Sequence, residues 1–133
     1  MGPIKAPDFA EFRESDDNSV FYGQLAKDDV REGYGIYVYS SDGSIYNGDW
    51  KNNKKHGDGK VVWASGESYE GTFEEGVIKG SGIFRWPSGK IYEGEFDDGL
   101  KEGAGKMTYP NGSTHVGLWD DDKKTGIGKY TDP

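Results

Sequence analysis

Aromatic and polar residues alternate with a period of two over several short segments of the chain. Tyr46 and Trp50 fall on one side of such a segment, with Asp49 on the other, and the pattern recurs over residues 69–73 and 92–96. Successive side chains of a β-strand point to opposite faces, so this alternation predicts strands with one apolar and one polar face. The chain is therefore predicted to be all-β.

A second predicted strand follows each of the first. These second strands share a glycine followed by larger apolar residues at alternate positions: Gly35, Tyr37 and Tyr39; Gly59, Val61 and Trp63; Gly82, Phe84 and Trp86; Gly105, Met107 and Tyr109. The connections carry residue types that tolerate a left-handed backbone: Asn53, Gly76, Gly99 and Asp122. Each pair of strands is therefore predicted to form a β-hairpin around a turn with positive φ.

The glycines repeat at a fixed interval. Gly48, Gly71, Gly94 and Gly117 are each 23 residues apart, and most of the other glycines among the 22 fall into parallel series. The strict interval excludes collagen, whose glycine recurs every third residue, and simple low complexity. A glycine between two aromatic residues leaves a slot that the ring of a neighbouring strand can occupy. The sequence therefore predicts stacked hairpins whose rings pack along one surface.

The repeated unit has a recognisable pattern. The segments Tyr46-Asn47-Gly48-Asp49-Trp50, Lys55-His56-Gly57-Asp58-Gly59 and Gly66-Glu67-Ser68-Tyr69-Glu70-Gly71 together resemble the MORN (membrane occupation and recognition nexus) repeat. On this resemblance residues 21–133 form the repeat domain, divided into repeats at 21–45, 46–68, 69–91, 92–114 and 115–133. The resemblance implies an elongated single-layer antiparallel sheet of about five stacked β-hairpins, with an aromatic groove along one face.

A sheet without a second layer exposes more apolar surface than a monomer usually leaves in water. We therefore expect the groove either to be covered or to bind a partner, with aromatic rings as anchors. The expected partner-binding residues are Tyr46, Trp50, Trp63, Tyr69, Phe73, Phe84, Trp86, Tyr92, Phe96, Tyr109 and Trp119. The opposite face carries Glu70, Glu93 and Glu95 and is expected to be solvated and acidic.

Residues 1–20 precede the repeats and are expected to be a short leader. Their polar end is poor in residues that can be buried, which favours disorder. The alternative is a short helix beginning near Pro7, with Phe9 and Phe12 on one face, that docks on the groove or on a partner.

Charge and composition narrow the classes of partner. The chain has 24 acidic and 16 basic residues, a net charge of -8, which disfavours nucleic acid and anionic membranes as partners. It has no cysteine, so disulfides, thiolate zinc sites and thiol nucleophiles are excluded. No segment is long and apolar enough to span a membrane, and we expect a cytoplasmic protein.

Candidate catalytic groups are sparse. His56 and His115 fall at positions of the repeat pattern and are interpreted as structural, and no catalytic residue, metal ligand or cofactor site is predicted. The segment Asn111-Gly112-Ser113 matches a glycosylation sequon, but it recurs at a loop position where turn chemistry explains it. The chain is therefore not expected to be an enzyme.

Three hypotheses on function follow. The first is a non-catalytic scaffold or adaptor that binds a helix or an extended segment of a protein partner in the aromatic groove, with a basic segment as the candidate that suits the acidic opposite face. The resemblance implies a cytoskeletal, ciliary or cortical assembly as its setting. The alternatives are a phospholipid-binding module, which the net charge disfavours, and a targeting module of a larger enzyme. An open sheet also has edges through which a homodimer can form.

Overall fold

The fold is a single antiparallel sheet. A computed structural model of the chain describes the backbone of residues 9–13 and residues 18–133. Eleven strands lie in sequence order, each hydrogen-bonded to its neighbours in the chain. The strands are β1 Phe9–Arg13, β2 Val20–Leu25, β3 Arg31–Val38, β4 Ile45–Lys51, β5 Lys54–Val62, β6 Ser68–Glu74, β7 Val77–Arg85, β8 Ile91–Asp97, β9 Leu100–Thr108, β10 Thr114–Asp120 and β11 Lys123–Thr131. The predicted all-β sheet of hairpins is confirmed.

The short connections within the hairpins adopt the predicted positive φ. In the loop between β4 and β5, Asn52 and Asn53 have φ of 51° and 67°. Two consecutive residues with positive φ define a type I′ turn, whose twist matches that of the flanking strands. The other two-residue turns of this kind have the pairs Glu75 and Gly76, Asp98 and Gly99, and Asp121 and Asp122. Between β2 and β3 a 3-10 turn at Lys27–Asp29 replaces the short loop.

The register of the strands aligns the central glycines in one row across the sheet. Gly48 lies opposite Gly59, and Gly59 lies opposite Gly71 on its other side. A Cβ atom at Gly48 would lie 2.8 Å from the hydroxyl of Tyr46, and one at Gly59 would lie 2.5 Å from the same ring. The predicted slots are therefore confirmed: each hairpin's tyrosine lies over its glycine pair.

The core is a continuous ladder of rings on this face. Tyr46, Tyr69 and Tyr92 are fully buried, and each is contacted edge-on by aromatic rings from its own repeat and from the next. Tyr69, for example, has Phe73 at 5.3 Å and Phe96 at 5.2 Å between ring centroids, with interplanar angles of 89° and 88°. Edge-to-face pairs of this kind add about 1 kcal/mol beyond the area that they bury.

One expectation about the N-terminal leader is wrong. Residues 1–20 were expected to be disordered or to form a short helix, but Phe9–Arg13 form β1, and β2 begins at Val20. Ala10 lies opposite Gly23 and Phe12 lies opposite Phe21, so β1 pairs with backbone groups of β2 that would otherwise form a sheet edge. Residues 1–8 and 14–17 lie outside the described residues, as do the side chains of Phe9 and Phe12, so the predicted docking of these two rings on the groove or on a partner stays a prediction.

Candidate functional site

Seven of the eleven predicted groove residues are buried in the sheet's own core. They are Tyr46, Trp50, Tyr69, Phe73, Tyr92, Phe96 and Trp119, each no more than 6% exposed. Each tyrosine occupies a glycine slot, and each Trp or Phe is held between two neighbouring rings. These side chains therefore build the face but do not offer their rings to a partner.

The remaining predicted groove residues lie half-buried at the surface: Trp63, Phe84, Trp86 and Tyr109. Tyr39, at the equivalent position in the first repeat, lies in the same environment. We call these five side chains the aromatic shelf. At its centre the Phe84 ring lies 5.6 Å from Trp63 and 4.5 Å from Trp86, between ring centroids, so three half-buried rings from two repeats form one surface.

Loop geometry positions the shelf. Trp86 follows the last residue of β7, where its backbone N–H donates to the carbonyl of Lys90 at 3.0 Å and its carbonyl accepts from Gly89. Trp63 is held in the same way by Glu67 and Gly66. Because the loop closes on the backbone of the aromatic residue itself, the fold sets the point from which each ring projects.

Lysine ammonium groups lie beside three rings of the shelf. The Nζ atom of Lys55 is 4.8 Å from the Tyr39 ring centroid and that of Lys90 is 4.3 Å from the Trp86 ring centroid, whereas Lys124 lies at the edge of Tyr109 and donates a hydrogen bond to its hydroxyl. Sequence reasoning missed these lysines. Only some of them had a periodic signal: Lys101, which also lies near Trp86, and Lys124 recur 46 and 69 residues after Lys55, but Lys90 lies outside this series.

The opposite face is acidic only in part. Glu70 and Glu93 are exposed there as expected, but Val38, Ile45 and Val62 lie opposite one another across β3, β4 and β5 and are each about 40% exposed. The expected exposure of the acidic residues is therefore confirmed, but this face also carries apolar side chains that were not anticipated. Val and Ile occur on exposed sheet faces because their β-branched side chains favour the strand.

A shallow trough of about 950 Å³ runs over the glycine row on that face. Its walls include Asp49, Asp58, Glu70 and Lys60. Lys60 lies 4.0 Å from Glu70 and Arg85 lies 3.9 Å from it, with all three side chains about half exposed. Exposed ion pairs of this kind stabilise a protein by less than about 1 kcal/mol, and the trough lacks the clustered rings of the shelf.

The groups whose pKa is shifted by the structure lie in the core or in a loop and have structural roles. Burial raises the pKa of Tyr69 and Tyr92 to about 12, and raises that of Tyr46 further, with the Asp49 carboxylate contributing. The Tyr92 hydroxyl donates to the carbonyl of Glu95 at 3.0 Å, and the other two tyrosines make the equivalent bond three residues ahead. The Ser44 hydroxyl and backbone N–H lower the pKa of Asp42, which they bind in its loop.

His115 occupies a position of the core, and a structural role for His56 stays a prediction. The His115 ring stands edge-on to Trp119 at 5.4 Å in the slot that tyrosine fills elsewhere. At the sequon, Asn111 accepts hydrogen bonds from the backbone N–H and hydroxyl of Ser113, so the expected turn chemistry is confirmed. Within the described residues, Glu102, Asp120 and Asp121 bring three carboxylates within 4.8 Å at the surface, a grouping that sequence reasoning did not single out.

Comparison with known proteins agrees with the repeat pattern. The family model of the MORN repeat matches residues 27–44, 46–68, 69–91, 92–114 and 115–133. Among solved structures, the TCP domain of SAS-4 (dCPAP) from Drosophila melanogaster, in complex with a proline-rich motif of Ana2 (dSTIL), has a TM-score of 0.53 at 14% identity. The match covers 98% of this chain and 77% of that one, and it shows a likeness of fold. No helix among the described residues has the length and apolar character needed to cross a membrane.

Proposed function

The chain belongs to the MORN repeat family, and we propose that it is a non-catalytic scaffold that binds a segment of a protein partner on the aromatic shelf. The observation that carries this proposal is the contiguous surface of Trp63, Phe84 and Trp86. Half-buried Trp and Tyr rings on a rigid support are the side chains that dominate binding energy at protein interfaces.

Two comparisons support a binding role. Proteins with MORN repeats are generally non-catalytic, and the repeat match extends from residue 27 to residue 133. The SAS-4 domain, whose fold is similar, is described in complex with a proline-rich segment of another protein. That description supports a protein-binding role for a sheet of this fold.

The proposal also covers the location of the protein and its assembly. We propose that the scaffold lies in the cytoplasm, within a cytoskeletal, ciliary or cortical assembly. Homodimerisation through sheet edges stays a prediction, and β11 pairs with β10 but with no other described strand. Phospholipid attachment and a role as the targeting module of a larger enzyme stay as alternatives, and no contact among the described residues favours either.

Selection from a displayed library of random 15-residue peptides tests the proposal. We expect selected peptides to lose binding to a Trp86→Ala variant and to keep it with Tyr22→Ala, a matched control that removes an exposed ring from the opposite face. Circular dichroism verifies that both variants fold. Equal binding to Trp86→Ala and to the unmodified chain would show that the shelf is not the site.

A further inference from the structure

We propose that the segment bound by the aromatic shelf is an acidic, proline-rich chain in the polyproline II conformation that crosses the strands with one turn per hairpin. This inference rests on the proposed function and adds the partner's backbone conformation and charge. It replaces the expectation of a basic partner, which was based on the acidic residues of the opposite face.

The spacing of the rings indicates the backbone conformation of the partner. Trp63, Trp86 and Tyr109 recur once per hairpin, and two strand spacings of ~4.8 Å separate such residues by about 9.6 Å. The Phe84 ring lies 5.6 Å from Trp63 and 4.5 Å from Trp86, which sets an upper limit of about 10 Å on the separation of those two rings. A polyproline II helix advances about 9.3 Å over its three-residue turn.

Other backbone conformations fit this spacing less well. Two turns of an α-helix advance about 10.8 Å, against about 9.6 Å between the rings, so the two spacings differ by about 1 Å for each hairpin that the helix crosses. In a β-strand the side chains alternate, so residues three apart point to opposite faces. In polyproline II every third residue faces the sheet with a drift of about 0.3 Å per hairpin. Proline side chains also pack flat against Trp and Tyr rings.

The lysines beside the shelf indicate the charge of the partner. Among the described residues, no carboxylate lies within 4.0 Å of the ammonium group of Lys55, Lys90 or Lys124. Lys101 differs, since it lies 3.3 Å from Asp122 and its side chain is only 16% exposed. The three other lysines therefore place positive charge beside the shelf in a chain whose net charge is -8.

Acidic groups of the same face offset part of the charge at one of these lysines. Asp42 and Asp98 line the groove between Tyr39 and Ile78, together with Lys55. The Asp42 carboxylate accepts hydrogen bonds from the backbone N–H and hydroxyl of Ser44, and it also attracts the ammonium group of Lys55. Lys90 and Lys124 therefore provide most of the positive charge that a partner meets at the shelf. Carboxylates of the partner lie within reach of the lysines beside Tyr39, Trp86 and Tyr109, whereas a basic segment would be repelled.

Three synthetic peptides test the inference: (Pro-Pro-Glu)5, (Pro-Pro-Gln)5 and (Pro-Pro-Lys)5, each labelled with fluorescein and titrated with the full chain in anisotropy measurements. All three have the same proline spacing and differ only in charge. We expect the glutamate peptide to bind at least tenfold more tightly than the glutamine peptide, and the lysine peptide to show no saturable binding. Raising the salt concentration should reduce this difference.

Variants of the chain test whether the glutamate peptide binds at the shelf. The double change Lys55→Gln and Lys90→Gln should weaken binding of the glutamate peptide about tenfold, and Trp86→Ala should abolish it. The control pair Lys60→Gln and Lys106→Gln removes two lysines from strand positions of the opposite face and should leave binding unchanged. The lysine variants keep every ring of the core, so loss of folding does not explain their effect.

The outcomes separate this inference from the proposed function. Equal binding of the glutamate and glutamine peptides, or equal effects of the two lysine pairs, would overturn the acidic assignment. If library-selected peptides need Trp86 but are basic or helical, the scaffold function stands and the inference fails. If neither selected nor synthetic peptides depend on Trp86, both fail.

Discussion

The indole of Trp119 stands edge-on to the ring of Tyr92, with centroids 5.1 Å apart and planes at 79°, although the two residues lie in neighbouring repeats. Tyr92 makes the same contact with Phe96 of its own repeat at 5.1 Å. Each repeat therefore completes its core with a ring from the next one. Stability should accumulate through these interfaces between neighbours, as in other repeat proteins.

Removal of a ladder ring should destabilise two repeats together. Phe96 is 6% exposed and lies edge-on to both Tyr69 and Tyr92. We expect Phe96→Ala to lower the free energy of unfolding by about 3 kcal/mol or more, measured by urea denaturation followed by circular dichroism. Phe84→Ala, which truncates a half-buried ring of the shelf, serves as the matched control and should have a smaller effect. Equal losses in the two variants would contradict the ladder as the main source of stability.

A side chain in a glycine slot should also destabilise the sheet. A Cβ atom at Gly94 would lie 2.5 Å from the Cα atom of Gly105 and 2.6 Å from the Tyr92 hydroxyl. Gly94→Val should therefore displace the ring or part the strands, at a loss of roughly 2 kcal/mol or more. The neighbouring change Glu93→Lys lies on the exposed face and should stay within about 0.5 kcal/mol. Comparable melting temperatures for Gly94→Val and the unmodified chain would disprove the packing argument.

The last repeat should gain stability from a tyrosine. His115 occupies the slot of the other tyrosines, and its Nε2 atom is buried without a hydrogen-bond partner among the described residues. We expect His115→Tyr to restore a hydroxyl bond to the carbonyl three residues ahead and to raise the free energy of unfolding by about 1 kcal/mol. His115→Phe fills the slot without a hydroxyl, so the difference between the two variants isolates the hydrogen bond. A destabilised tyrosine variant would show that this slot has a different shape.

The buried tyrosines should make the fold sensitive to alkaline pH. Burial raises the pKa of Tyr69 and Tyr92 from 10.0 to about 12, so folding favours the neutral phenol. Their contribution to stability is complete below pH 10 and is lost as the pH rises towards 12. Urea midpoints measured between pH 9 and 11.5 should fall, and the part of the tyrosinate absorbance at 295 nm that comes from the buried tyrosines should appear only as the chain unfolds. Tyr92→Phe should reduce the pH dependence, whereas Tyr130→Phe, an exposed site, should not.

The regular part of the fold was predictable because its determinants are local. Tyr69, Gly71 and Phe73 define a strand face by alternation, and Asn53 and Gly76 mark turns by their tolerance of positive φ. The strand Phe9–Arg13 was missed because two phenylalanines three residues apart, after a proline, are equally typical of a short helix. What decides in favour of the strand is the open edge of β2, a feature of the assembled sheet.

The candidate site was predictable only in outline. Sequence alternation placed Tyr46 and Trp86 on the same face, but burial separates them, since the first lies in a glycine slot and the second lies at the end of a strand. The lysines were missed because position along the strand suggests that Lys55 is distant from Tyr39. Its long side chain spans that distance, and its ammonium group lies over the ring.

The pairing of each strand with its chain neighbours also determines how the sheet responds to force. Tension applied between β1 and β11 acts across the strands, along the direction of their hydrogen bonds. The rows of hydrogen bonds between strands therefore break one after another instead of shearing together. Each opened hairpin releases 23 residues, or about 80 Å of chain. A sheet built in this way extends in steps of equal length at low force, and it shortens again by re-forming one hairpin at a time.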